Sequence, residues 1–133
     1  ALYGYDGKCK NIHGHNYKLF VTVIGSPTPD SSNVKFGMVM DFDDLKKIVK
    51  SEIIKEFDHS VIFNKNSPHK KLADDLIKNG HKVVLADYQP TIEEMIIDFS
   101  NKISSKLPGE IKLHCLKLEE TETSYSEWFA ADN

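Results

Sequence analysis

Between Asn16 and Gly25, Tyr17, Leu19, Val21 and Val23 alternate with Lys18, Phe20, Thr22 and Ile24, and the second half is apolar on both faces. Such β-rich alternation predicts a strand buried on at least one side. Gly25 to Asn33 collects Gly, Pro, Ser, Asp and Asn, which is turn chemistry, and Phe36 to Met40 then reads as a returning strand of a hairpin. From Asp41 the period changes. Leu45, Ile48, Val49, Ile53 and Phe57 share one helical face, with Lys46, Lys47, Lys50 and Lys55 largely elsewhere, which predicts an amphipathic helix ending near Asp58. Ser67 to Asn79 predicts a short helix capped by Ser67 and stopped by Gly80. Lys82 to Ala86 reads as an edge strand. Thr91 with Glu94 forms a capping box that opens a second long helix through Ile92, Met95, Ile96, Phe99, Ile103 and Leu107, and Pro108-Gly109 ends it. Ile111 to Glu120 and Tyr125 to Ala130 return to strand composition. The main order is strand, strand, helix, helix, strand, strand, with no internal repeat, linker or heptad.

The 133 residues make one domain, residues 1–133, with room for one modest core. Seventeen basic against twenty acidic side chains give a net charge of -3, which speaks against a broad footprint for nucleic acid or an anionic membrane surface. The absence of a long apolar run or signal-peptide pattern leads to the expectation of a cytoplasmic protein. Two cysteines do not make a disulfide framework, so each is core, ligand or nucleophile.

The densest chemistry lies in Cys9-Lys10-Asn11-Ile12-His13-Gly14-His15. In extended backbone His13 and His15 point to the same face, and two imidazoles there can grip one metal ion, zinc being the natural candidate. The alternative is a pair of partly exposed strand histidines. Cys9, among Gly7, Lys8 and Lys10, is placed to be a base or nucleophile, a zinc ligand or a plain loop cysteine. Cys115 reads as a small core residue. Asp58-His59 closes the first helix, where a carboxylate can hold an imidazole in one tautomer, although helix C-termini also favour His for dipole reasons. In Glu119-Glu120-Thr121-Glu122, a single buried carboxylate would recognise a guanidine-like ring edge, while the plainer reading is a solvated edge. His69, His81 and His114 have no evident partner.

Five ordered motifs resemble the 6-pyruvoyltetrahydropterin synthase family and its 6-carboxytetrahydropterin synthase branch. They are Cys9 to Tyr17, Gly37 to Lys46, Phe57-Asp58-His59, Pro90 to Glu93 and Glu120-Thr121. The resemblance covers nearly the whole chain. It implies an α+β tunnelling fold of order ββααββ, an antiparallel sheet with two helices on one face, in which trimers close a barrel and stack as hexamers. It also implies that His13 and His15 bind Zn2+, Cys9 abstracts a proton, Asp58 with His59 forms the second acid/base element, and Glu120 anchors a pterin. Thr91 and Glu93 would lie near that ring, with Ile92 in place of a hydroxyl residue. The implied substrate is dihydroneopterin triphosphate.

The three residues between Cys9 and His13 resemble the bacterial carboxy-type enzymes of queuosine precursor synthesis, whose products would be 6-carboxytetrahydropterin and acetaldehyde. The alternative is the pyruvoyl-type elimination of triphosphate, and an alternative of another class is a noncatalytic pterin- or metal-binding scaffold. Asn64 to Gln89 is longer than in compact bacterial members, which would reshape the pocket rim. The family's third zinc histidine would lie upstream of Ala1, so the chain reads as lacking most of its first strand.

Overall fold

A computed structural model describes residues 1–133. Strands β1 (Lys18–Ile24), β4 (Lys112–Thr121) and β5 (Ser124–Phe129) form an antiparallel sheet in the order β1-β4-β5. Helix α1 (Phe42–Val49) runs through a π-helical turn at Lys50–Ile54 into a last α turn, α2 (Lys55–Phe57). Then come β2 (Val61–Asn64), α3 (His69–Lys78), β3 (Val83–Ala86) and α4 (Ile92–Ser104). No helix is long and apolar enough to cross a membrane.

The α+β class and the helices on one face of an antiparallel sheet are present. The order differs from ββααββ in two places. Residues 36–40 are turns, not a returning strand, and β1 pairs instead with β4, from Lys18 opposite Glu119 to Ile24 opposite Lys112. Pro27 and Pro29 carry no amide donors, which stops a ladder from leaving β1 by that route. Gly37 turns the chain at φ +79°, and only Thr28 is tied back, its N–H donating to the Met38 carbonyl at 2.8 Å. The second difference is a parallel pair, β2 with β3, joined through α3. The expected strand is present as Val83–Ala86, but its partner is a four-residue run too short to stand out in the sequence.

Helix packing follows the apolar stripe. Leu45, Val49, Ile53 and Phe57 recur every four residues, which overshoots an α-helical turn by ~40° at each step. The π turn adds residues where that drift would carry the stripe off the core, and Ile53 is 2% exposed there. On α4 the Thr91 hydroxyl accepts from the Glu94 N–H at 3.4 Å, as the cap predicts. Met95, Ile96, Phe99 and Ile103 meet Leu113, Leu116 and Leu118 of β4 in one core cluster. Lys102 braces α4 to the end of α2 through Glu56 at 2.7 Å.

Leu113 and Leu116 share a face only because the pairing shifts between Thr22 and Val23, leaving His114 as the extra residue of a bulge. That shift turns Cys115 away from the core, so its reading as a core residue is corrected. It is half-buried opposite Phe129, and burial, then the Glu127 carboxylate, push its thiol upward.

Candidate active site

One cavity of about 760 Å3 brings together all eight side chains singled out in the sequence. Its size is that of a pocket for a small organic ligand. Its floor is apolar, made by Ile53, Phe57, Met95, Phe99 and Leu118.

One wall is the segment ahead of β1. Cys9 sits half-buried in a 3-10 turn, Lys8–Lys10, whose carbonyl accepts from the Leu2 N–H at 2.8 Å. Gly7, just ahead of this turn, leaves room for the Tyr5 ring, which a Cβ there would overlap. The Gln89 side-chain amide donates to the Tyr3 carbonyl at 2.8 Å and ties the same segment to the start of α4.

His13 and His15 lie ahead of β1 with ring centroids 4.8 Å apart and planes at 86°. They share a face, as the two-residue period predicts. The His13 Nδ1 lies 2.7 Å from the Asn11 carbonyl, which can only accept, so Nδ1 carries a proton and Nε2 is the nitrogen that could ligate a metal. His15 Nε2 stands 3.9 Å from Glu120 Oε2. No group of three or more His, Cys, Asp or Glu side chains is arranged to hold a metal ion. The donors present are imidazoles of the type zinc takes, and one of them is already oriented by an outer hydrogen bond.

Tyr17 also lines the cavity and escaped the sequence reading as a site residue. Its ring meets that of His15 edge-on at 5.7 Å. Burial first, then the Glu120 and Cys9 charges, push its phenol up to about 12, so it keeps its proton at neutral pH. The signal was available, since His13, His15 and Tyr17 have the same parity.

The opposite wall is the end of α2. Asp58 leaves the helix with extended backbone and His59 turns left-handed at φ +55°. That conformation favours Gly or Asn after a helix, and a histidine held in it is a strained residue of the kind that gathers at functional sites. Asp58 Oδ1 is 2.9 Å from His59 Nδ1, and the imidazole is 91% exposed, free to exchange protons. Ser60 closes the turn, its hydroxyl donating to the Phe57 carbonyl at 2.6 Å.

Thr91 and Glu93 complete the rim. The Thr91 oxygen is engaged as the α4 cap, and Glu93 is exposed. His69 lies apart, edge-on to Tyr3 at 5.5 Å.

A wall with a half-buried thiol and two imidazoles, an acid/imidazole pair and a carboxylate around one apolar-floored cavity on an α+β scaffold define an enzyme. The model of the 6-pyruvoyl tetrahydropterin synthase family matches residues 1–130. The chain is 37% identical over 128 residues to a Haemophilus influenzae 6-carboxy-5,6,7,8-tetrahydropterin synthase, covering 96% of this chain and 88% of that protein. It is 38% identical over 128 residues to the Aquifex aeolicus protein of the same name, covering 91% and 75%. It is 32% identical over 130 residues to that of Rickettsia typhi, covering 95% and 88%. The chain belongs to the 6-pyruvoyl tetrahydropterin synthase family.

Proposed function

We propose that this enzyme is a tetrahydropterin synthase, a lyase of the 6-carboxy-5,6,7,8-tetrahydropterin type, acting on 7,8-dihydroneopterin triphosphate. The observation that carries the reading is the convergence of Cys9, His13, His15, Asp58, His59 and Glu120 on one cavity. The names of the relatives favour the carboxy-type product, as does the three-residue spacing between Cys9 and His13.

In this reading Glu120 accepts from the donor edge of the pterin, and the apolar floor takes the ring face. The substrate's hydroxylated side chain then lies between the two walls. Zinc bound by His13 and His15 would supply a Lewis acid to those hydroxyls. Cys9 removes a proton on one side, and the Asp58–His59 pair delivers or accepts one on the other, with Asp58 holding the imidazole tautomer. Tyr17 remains a neutral donor. Retro-aldol cleavage of the side chain with loss of triphosphate balances with a water and needs no external oxidant. It yields 6-carboxytetrahydropterin and acetaldehyde.

Further parts of the proposal are work in the cytoplasm, no nucleic-acid or membrane partner, and assembly of copies of this chain into a hexamer of two trimers. The unpartnered outer edges of β1 and β5 support assembly, because exposed strand edges invite pairing.

The test is incubation of zinc-loaded protein with dihydroneopterin triphosphate, with acetaldehyde and pterin products resolved by chromatography. Acetaldehyde release supports the carboxy-type reaction. A pyruvoyl pterin without acetaldehyde assigns the alternative, and ligand binding without any product assigns a noncatalytic scaffold.

A further inference from the structure

The segment from Asn64 to Gln89 has no part in the chemistry above, yet one of its side chains reaches the back of the catalytic turn. Lys82 stands immediately before β3 and does not line the cavity. Its Nζ donates to the Asp58 carbonyl at 2.7 Å and to the Lys55 carbonyl at 2.8 Å. Its own backbone carbonyl accepts from the Val61 N–H at 3.0 Å. One residue thus grips the chain on both sides of His59.

The grip falls where the backbone needs it. The last carbonyls of a helix lack intrahelical donors, and a cation there also meets the negative end of the helix dipole. His59 at φ +55° is held against its own preference, and such a residue persists only where its surroundings fix it. Ser60 fixes one carbonyl of this turn and Lys82 fixes two. Lys82 is in turn placed by the parallel pairing of β3 with β2, Val83 lying opposite Val61.

We propose that Lys82 is a positioning residue which, through the Lys55 and Asp58 carbonyls, holds the Asp58–His59 pair in its cavity-facing geometry. The long segment around it is thereby a buttress for the acid/base turn. The catalytic part of this inference rests on the reaction proposed above; the clamp itself does not.

The test compares Lys82→Met and Lys82→Arg in the full chain, by amide hydrogen exchange across residues 58–61 and by turnover of dihydroneopterin triphosphate with zinc. Lys82→Met keeps the stem and removes the donor. It is expected to speed exchange at Asp58 and Ser60 about tenfold. It should lower kcat about tenfold with KM changed by less than about twofold, because a displaced acid/base group costs rate more than binding. Lys82→Arg should restore most of both, since its guanidinium offers donors to the same carbonyls. Wild-type exchange and kcat in Lys82→Met would overturn the proposal. So would a joint change of kcat and KM with a lowered melting temperature that Arg fails to rescue. A wild-type protein without turnover would overturn the proposed reaction, while the exchange rates alone would still decide the clamp.

Discussion

His15 Nε2 faces Glu120 Oε2 across 3.9 Å, so the candidate metal ligand and the candidate ring anchor are neighbours. The pairing of Lys18 with Glu119 produces this approach, since it lays the residues just ahead of β1 beside the end of β4. In the proposed reading, substrate recognition and side-chain chemistry are thus set a short distance apart on one wall.

Glu120→Gln should raise KM for the pterin ~10–100-fold, the worth of a charge-assisted hydrogen bond of ~1.5–3 kcal/mol. Zinc content should stay at the wild-type level. Steady-state kinetics and metal analysis together check the division, and a loss of zinc with unchanged KM would assign Glu120 to the metal.

Cys9→Ala should lower kcat by ~100-fold or more, leaving pterin affinity within about threefold, because the thiol moves protons in place of binding the ring. Fluorescence titration against a turnover assay separates these quantities. Loss of affinity would make Cys9 structural.

Added zinc should raise the melting temperature of the wild-type chain and fail to do so in His13→Ala and His15→Ala, since a ligand that binds only the native state stabilises it. Chelation should remove the difference. Equal zinc response in all three proteins would place the metal elsewhere.

His59→Gly should gain about 0.5–1 kcal/mol of stability, because glycine adopts φ +55° without the Cβ penalty. The exposed imidazole contributes little packing to lose. The same variant should lose activity, so denaturation and turnover move in opposite directions.

The Tyr88 hydroxyl donates to Asp98 Oδ2 at 2.8 Å, and burial first, then this carboxylate, raise its ionisation above the ordinary value of 10. The unfolded chain therefore releases this proton before the folded one does. Stability falls as pH climbs above 10, while below that value the contribution of this group is fully present and does not vary with pH. Tyr88→Phe should cost about 1 kcal/mol at neutral pH through the lost hydrogen bond. It should also flatten the alkaline limb in urea titrations.

The long helices were readable because Leu45 to Phe57 and Ile92 to Ile103 repeat over several turns, and because Thr91 announces its own cap. β1 was readable from alternation, and β4 and β5 from strand composition. Val61–Asn64 was not, since four residues carry no period, and its parallel partner lies beyond a whole helix. The apolar run from Phe36 to Met40 reads as a strand returning from a turn, but prolines upstream and the turn at Gly37 deny it a ladder. The apolar run around Cys115 suggested a core residue, but the side chain faces away from Leu116 and Leu118 and is only half-buried. In the site, residue types and spacing singled out Cys9, His13, His15, Asp58 and His59, whereas Thr91, Glu93 and Glu120 were picked out by the family resemblance. Their gathering is tertiary, and the Lys82 contact joins residues 24 and 27 positions apart that no local pattern relates.

The register that lays Lys18 beside Glu119 also sets when the cavity can exist during folding. One of its walls joins residues near the start of the chain to residues near its end, and closing so long a loop carries an entropic cost before any contact compensates for it. The helices can form early from local contacts, but a chain that has not zipped β1 onto β4 has no binding site to occupy. Ligands therefore cannot guide the early collapse. A ligand that fits this cavity stabilises only the molecule in which that strand pair is closed.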